Sequence, residues 1–456
     1  MRSCIVFALL SVASVHAADL IVPRDFPSIQ AAIDAAAIGD RVVVQEGLYP
    51  EVIDFRGKPI TVLALGSPDR TIIDGTGLQS PVVAMTSGET EGSRLEGFTI
   101  SGGAEPHGGI LVRNGSPALS RLIIRENEAL QGGGLRVVGG SPLVESCHFL
   151  NNVSLDGGGA FVQGARTVFR DVMFEGNDGG NFGGGLSAAG GTLRLENVWC
   201  VKNDANQFGG DLYTNHVELE AIGLTLLGNG TAEQSGNSWI FSTFGGGGAY
   251  LTSTSGHLFN VRARDNVAAA GGGLYVASGG GPTITNAFIS DNLGGIAGAG
   301  VYCNSSSPRI VNATIVDNFP GGLFTTYNAF PEVVNVILAQ NGDRNYRGVE
   351  VYGNGRARVS YSLVAGPLND SIEIGSGVIG GLPRLGSDGI PLPGSPVIDA
   401  GLNSAFDPMR REDLAGNQRF VDDPNTEDTG EGRAPIIDLG AFEFPHGFGA
   451  SPSPHR

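Results

Sequence analysis

Between Gly108 and Asn341 the chain repeats one unit nine times: a glycine pair or near-pair, an apolar run, and an asparagine 18 or 19 residues after the last glycine. With the second glycine taken as origin, the units begin at Gly109, Gly134, Gly159, Gly185, Gly210, Gly248, Gly273, Gly300 and Gly322. They end at Asn127, Asn152, Asn177, Asn203, Asn229, Asn266, Asn292, Asn318 and Asn341. Ahead of each asparagine, apolar residues recur at every second position, as in Cys147 and Phe149 or Val198 and Cys200, while the residues between them vary from His148 and Trp199 to Arg262. Alternation with period two marks a strand with one buried face.

A period near 25 residues, with strands and no helical pattern, predicts a solenoid, because a single coil cannot bury its apolar side without neighbours above and below. The architecture expected is an all-β parallel β-helix. Asparagine suits its corners, since it tolerates left-handed backbone angles and its amides can hydrogen-bond up a stack at the strand spacing of about 4.8 Å. The asparagine column is therefore read as scaffold, and the glycines as corners where no Cβ fits. Glycine numbers 73 of 456 residues without a three-residue period, which excludes collagen, and 41% hydrophobic residues exclude a disordered chain.

The formal charge of −18 argues against nucleic-acid partners and anionic membrane surfaces, both of which need basic patches. Residues 1–17 read as a signal peptide cleaved after about Ala17: Arg2, an apolar run from Ile5 to Leu10, then Val15-His16-Ala17. This predicts a secreted or cell-surface protein. No later stretch is long and apolar enough to span a membrane. Cys147 and Cys200 fall two coils apart, about 9.6 Å along the axis, and Cys303 lies further on, so three buried thiols and no bridge are predicted. Nothing in the residue pattern specifies an oligomer.

Ahead of the repeats, Ile29, Ala32, Ile33 and Ala36 follow helical spacing and predict a short N-terminal capping helix within residues 28–37. Strand-like runs follow at 41–44, 60–65 and 71–73. The opening Phe26-Pro-Ser-Ile-Gln-Ala-Ala-Ile-Asp-Ala, with Gly39-Asp40-Arg-Val-Val-Val and Glu46-Gly47-Leu-Tyr49-Pro-Glu51, resembles the first coils of the pectin-lyase-like right-handed parallel β-helices. The repeats, as in Phe149-Leu-Asn-Asn152 and Phe174-Glu-Gly-Asn177, resemble those of chlamydial polymorphic outer-membrane proteins, although no length remains here for their translocator barrel. The series Gly394-Ser-Pro-Val-Ile-Asp-Ala-Gly401, Asp413-Leu-Ala-Gly-Asn-Gln-Arg419 and Asp438-Leu-Gly-Ala-Phe-Glu443 is similar to the terminal module of bacterial secreted proteins described as choice-of-anchor Q. That resemblance implies an exported protein with a C-terminal cap and implies no reaction. The organisation expected is a signal peptide (1–17), an N-terminal cap and first coils (18–107), regular repeats (108–383) with an insertion at 230–244, a capping module (384–444) and a tail (445–456).

Two columns carry what chemistry the sequence offers. Two positions after the origin, Tyr250, Tyr275, Tyr302 and Phe324 follow Leu212 on successive coils and are expected outward, next to an insertion that contains Trp239, Phe241 and Phe244. Such rings suit the faces of sugars, or else support one another. Before three asparagines stand Asp265, Asp291 and Asp317, a column that would repel itself unless a cation such as Ca²⁺ lay between its members; Asp-Asn is also ordinary turn sequence. With Arg262 these are the weak candidates for catalysis or metal binding by a polysaccharide lyase or hydrolase. Asp399, Asp413, Arg419, Asp438 and Glu443 read as a buried ion-pair network in preference to the alternative, a metal site, and Asp422, Asp423, Glu427 and Asp428 as a solvated acidic loop. No nucleophile triad, zinc spacing or phosphate loop appears. The favoured expectation is an exported structural or glycan-binding protein without a required cofactor, and the alternative is a polysaccharide-degrading enzyme.

Overall fold

The computed structural model describes residues 17–445 apart from 231, 236–237, 242–244, 343–349, 369 and 408–409, and within the insertion it gives only the backbone of two short strands. The signal sequence before Ala17, the side chain of Trp239 and the whole of Phe244 lie outside the described residues.

The chain is a right-handed parallel β-helix of about 12 turns. Three parallel ladders run its length. The first begins at Asp19–Val22, Arg41–Val44 and Thr61–Ala64 and ends at Ile372–Ile374. The second runs from Gly47–Tyr49 to Leu363–Val364, and the third from Ile53–Asp54 to Val351–Gly353. Within one coil the chain follows the third ladder, then the first, then the second, as the single stretch Ala160–Glu175 does. A short fourth side then leads to the next coil. The ladders continue past residue 348, where the sequence pattern fades, because Val351–Gly353 and Ala357–Ser360 still pair in register.

The asparagine column is a continuous buried ladder. From Asn127 to Asn341 the backbone N–H and side-chain Nδ2 of each member donate to Oδ1 of the next, at 2.8–3.4 Å. Each Nδ2 also reaches a carbonyl, for example Ile124 O from Asn152 at 2.8 Å. Every donor of these buried amides is thereby matched, which is the condition for burying them. The glycines have a steric reason: a Cβ on Gly134 would stand 2.6 Å from the Gly159 carbonyl oxygen. Inside, apolar residues stack coil on coil, as Phe149 and Phe174 do at 4.8 Å. Cys147, Cys200 and Cys303 are buried free thiols, as their spacing predicts.

One origin is corrected. Leu212 pairs with Leu186 and Ala249, so the glycine place on that coil belongs to Asp211, not Gly210, and Asn229 then follows it by 18 residues like most others. The outward residue beside Tyr250 is Tyr213 rather than Leu212.

The N-terminal helix spans Ile29–Ala35, with the Ser28 hydroxyl accepting from Ala31 N–H and Glu51 carboxylate oxygens accepting from the N–H groups of Ile29 and Gln30. Its buried Ile29, Ala32 and Ile33 join the core of the first coils.

The C-terminal segment, expected as a cap at the end of the solenoid, lies along its flank. Val397, Ala400, Leu414, Leu439, Ala441 and Phe442 pack on Phe288, Val316, Ile337, Ala339 and Leu363, which point outward from the second ladder or its edges. Asn286 Nδ2 donates to Glu412 O, Asn335 Nδ2 to Leu402 O, and Ala441 N–H to Thr314 Oγ1. Phe288 and Ile337 point outward on these late coils, and burying each contributes roughly 1.5–3 kcal/mol to holding the segment against the flank. Of the expected ion-pair network, Arg419 and Glu443 form a buried pair at 3.0 Å. Asp413 and Asp438 instead accept from backbone amides, those of Glu443 and Asp399 among them.

Candidate functional site

The flank that the tail covers in late coils is open in earlier ones. There the outward column of the second ladder reads His148, Met173 and Trp199, paired across adjacent strands. Trp199 is 54% exposed. Between the first and second ladders the backbone turns through single left-handed residues, Ser146, Asp171 and Asn197, with φ of 51–53°. These corners line a shallow groove with the three outward side chains. Asn197 Nδ2 donates to Asp171 Oδ1 at 3.0 Å, and His148 Nε2 lies 3.1 Å from Glu175 Oε2. On the adjoining first ladder, Arg170 bridges Glu145 at 3.2 Å and Glu196 at 2.5 Å, and Arg194 also pairs with Glu196. The hydrogen bond from Arg170 holds the Glu196 carboxyl below its ordinary range. The result is an aromatic and thioether floor edged by amides, carboxylates and a fixed guanidinium.

The candidate columns are placed elsewhere. Tyr250, Tyr275, Tyr302 and Phe324 do stand on one column, and it extends to Tyr213 on one side and Tyr352 on the other. Tyr250–Tyr275 and Tyr275–Tyr302 stack with ring centres 4.6 and 4.5 Å apart, and the Tyr302 and Phe324 rings lie 4.7 Å apart at a tilt of 37°. Stacking along the axis turns ring faces toward one another, so little flat surface is left for a ligand, and Tyr275 is 9% exposed. Burial also pushes the Tyr302 phenol up to about 12. Glycine turns leave the rings their room: a Cβ on Gly245 would meet the Tyr275 ring at 2.8 Å.

Asp265, Asp291 and Asp317 are exposed and have φ of 55–57°, the corner that Asn151, Gly176, Lys202 and Gly228 occupy in earlier coils. Their residue type follows from that backbone conformation. The charge they accumulate is met by Arg264, whose Nε lies 3.3 Å from Asp265 and 3.1 Å from Asp291. Burial raises the Asp265 and Asp317 carboxyls above their ordinary range, and Asp291 adds to both shifts. Arg262 does not join them. It lies under the tail, donating from Nη2 to Leu414 O at 3.1 Å, with its guanidinium 5.8 Å from the Phe442 ring centre.

Asp211, Glu350 and Asp438, whose carboxyls burial pushes up to about 7, are enclosed in the solenoid or beneath the tail. A general acid or base must reach its substrate. The column holding His148 and Trp199 varies as much where the tail covers it, at Arg262 and Thr314, as where it is open, so no signal in the sequence marks the open face.

Residues 223–378 match the family model described as the right handed beta helix region. Among solved structures, the chain is similar to pectate lyase Pel9A at 16% identity, covering 91% of this chain and 90% of that one with a TM-score of 0.32. It is similar to the A-module of the Azotobacter vinelandii mannuronan C-5 epimerase AlgE6 at 13% identity, covering 78% and 94% with a TM-score of 0.38. The receptor-binding domain of the siphovirus 9NA tailspike aligns at 11% identity over 79% and 76%, with a TM-score of 0.30. A search of curated protein sequences finds no match. Among the described residues no helix is long and apolar enough to cross a membrane.

Proposed function

We propose that this is an exported, non-catalytic β-helix protein that binds a polysaccharide or cell-surface glycan along its open flank, with Trp199 as the platform. The observation that carries the reading is the exposed Trp199 indole over a groove whose edges are Asp171, Asn197 and His148. Sugars offer an apolar C–H face and a rim of hydroxyls, and an aromatic ring bordered by amide and carboxylate groups matches both. The groove is shallow and follows the solenoid axis across three coils, a geometry suited to a chain rather than a small molecule. Glu145 and Glu196 are held by Arg170, which suits them to positioning rather than proton transfer.

The test is a glycan array followed by titration of the hits. Trp199→Ala is expected to weaken binding at least about tenfold, the equivalent of about 1.4 kcal/mol. Unchanged affinity in that variant would remove the groove from consideration. Incubating the hits with the protein and following unsaturated-product absorbance and new reducing ends decides the chemistry: accumulating product would replace binding with lyase or hydrolase activity.

A further inference from the structure

We propose that Asp399, Asp422 and Asp428 form a calcium site that ties the 421–430 loop to the tail segment packed on the solenoid. One carboxylate oxygen from each of the three lies within 4.8 Å of those of the other two. Ligand oxygens bound to Ca²⁺ at 2.3–2.6 Å can be up to about twice that distance apart, so a single ion spans the triangle. The second observation is at Asp399. Its side chain is completely buried, Oδ2 accepts from Asp423 N–H at 3.2 Å, and Oδ1 has no hydrogen-bond partner. A buried carboxylate oxygen without a donor is costly unless a cation meets it.

The surroundings hold Asp399 and its loop firmly. Its carbonyl accepts from Thr429 and Gly430 N–H, and its own N–H donates to Asp438 Oδ1 at 2.8 Å. Asp423, between the proposed ligands, is spent on its own turn, accepting from Asn425 N–H and Thr426 Oγ1. That leaves Asp422 and Asp428 at the surface, facing the same point as Asp399. Among the described residues no Lys or Arg pairs with either carboxylate, in contrast to Asp265 and Asp291, which share Arg264. Three hard carboxylate ligands with two open to water suit Ca²⁺, which accepts irregular oxygen shells, better than Mg²⁺, which demands a tight octahedron, or softer metals, which prefer nitrogen and sulfur.

Calorimetric titration of the full chain, stripped with EDTA, with calcium chloride tests this. One ion is expected to bind with a Kd on the order of 10⁻⁴–10⁻³ M, the range of extracellular calcium modules. Thermal unfolding should shift upward with calcium and much less with magnesium. The surface double variant Asp422→Asn/Asp428→Asn, which leaves the buried residue in place, is expected to bind at least about tenfold more weakly and to lose the calcium-dependent shift. Asp291→Asn, in the other acidic column, should bind as the parent does. Absence of calcium binding by the parent chain, retained binding in the double variant, or loss in Asp291→Asn would each overturn the assignment.

Discussion

The two halves of one flank share a backbone register and differ in what they do with it. In the second ladder the column that reads His148, Met173, Trp199 continues as Thr225, Arg262, Phe288, Thr314 and Ile337. The first three face solvent over a groove, while Phe288, Thr314 and Ile337 are buried beneath the C-terminal segment. The first ladder divides in a similar way: Glu145, Arg170 and Glu196 form ion pairs on the open half, and Ile222, Phe259, Thr285, Val311 and Val334, all but one apolar, take their places on the later coils, where Phe259 and Ile222 meet tail residues. A parallel β-helix fixes which residues point outward. Whether an outward residue becomes core or surface depends on what else the chain can lay over it, and apolar columns attract that cover.

The largest effect is expected where the cover is anchored. Arg419 and Glu443 are both buried and paired, so Arg419→Ala would strand a carboxylate and cost about 3–5 kcal/mol of tail docking. Limited proteolysis should then remove the tail while far-ultraviolet circular dichroism keeps the signal of the coils; a tail that stays protected would show that the apolar contacts alone hold it. Next is a pair of substitutions in the divided column. Phe288 is buried against Phe442 with ring centres 5.6 Å apart, and Phe288→Ala should cost about 3 kcal/mol or slightly more in urea unfolding. Trp199→Ala, on the open half, should cost under about 1 kcal/mol while weakening glycan binding. Equal stability losses would erase the distinction between the halves.

The smallest effect concerns Asp211, on the coil that follows that of Trp199. Burial raises its carboxyl to about 7 from 3.8, so the folded chain holds a proton that the unfolded chain releases. That contribution is fully present below the unfolded value and is lost as pH rises through about 7, a slope of about 1.4 kcal/mol per pH unit between the two values. Asp211→Asn keeps the acceptor for Asn203 Nδ2 and should flatten this part of the pH profile, raising stability near neutrality. A profile identical to that of the parent chain would mean that the carboxylate is ionised and otherwise compensated.

Much of this was legible in the residues. The count from glycine to asparagine located the buried ladder from Asn127 to Asn341, the apolar alternation located the core, and the helix at Ile29–Ala35 followed from its spacing. The register slip at Asp211 was hidden by the preceding Gly209-Gly210, which mimics an origin. The tyrosine column was found, but its rings could not be read as stacked on one another, since a sequence reports that side chains share a column and not where their faces point. Arg262 is outward on its own strand, and only the fold shows that Leu414, more than 150 residues later, lies against it.

Local and periodic information thus determined the ladder, the corners, the thiols and the direction of each side chain, because every coil repeats the same short-range geometry and stacks on its nearest neighbours. The tertiary structure alone decided which outward surface remains open. That choice depends on a tail without repeats folding back along the flank, and on acids as distant in sequence as Asp399 and Asp428 meeting there, contacts that no period in the chain encodes.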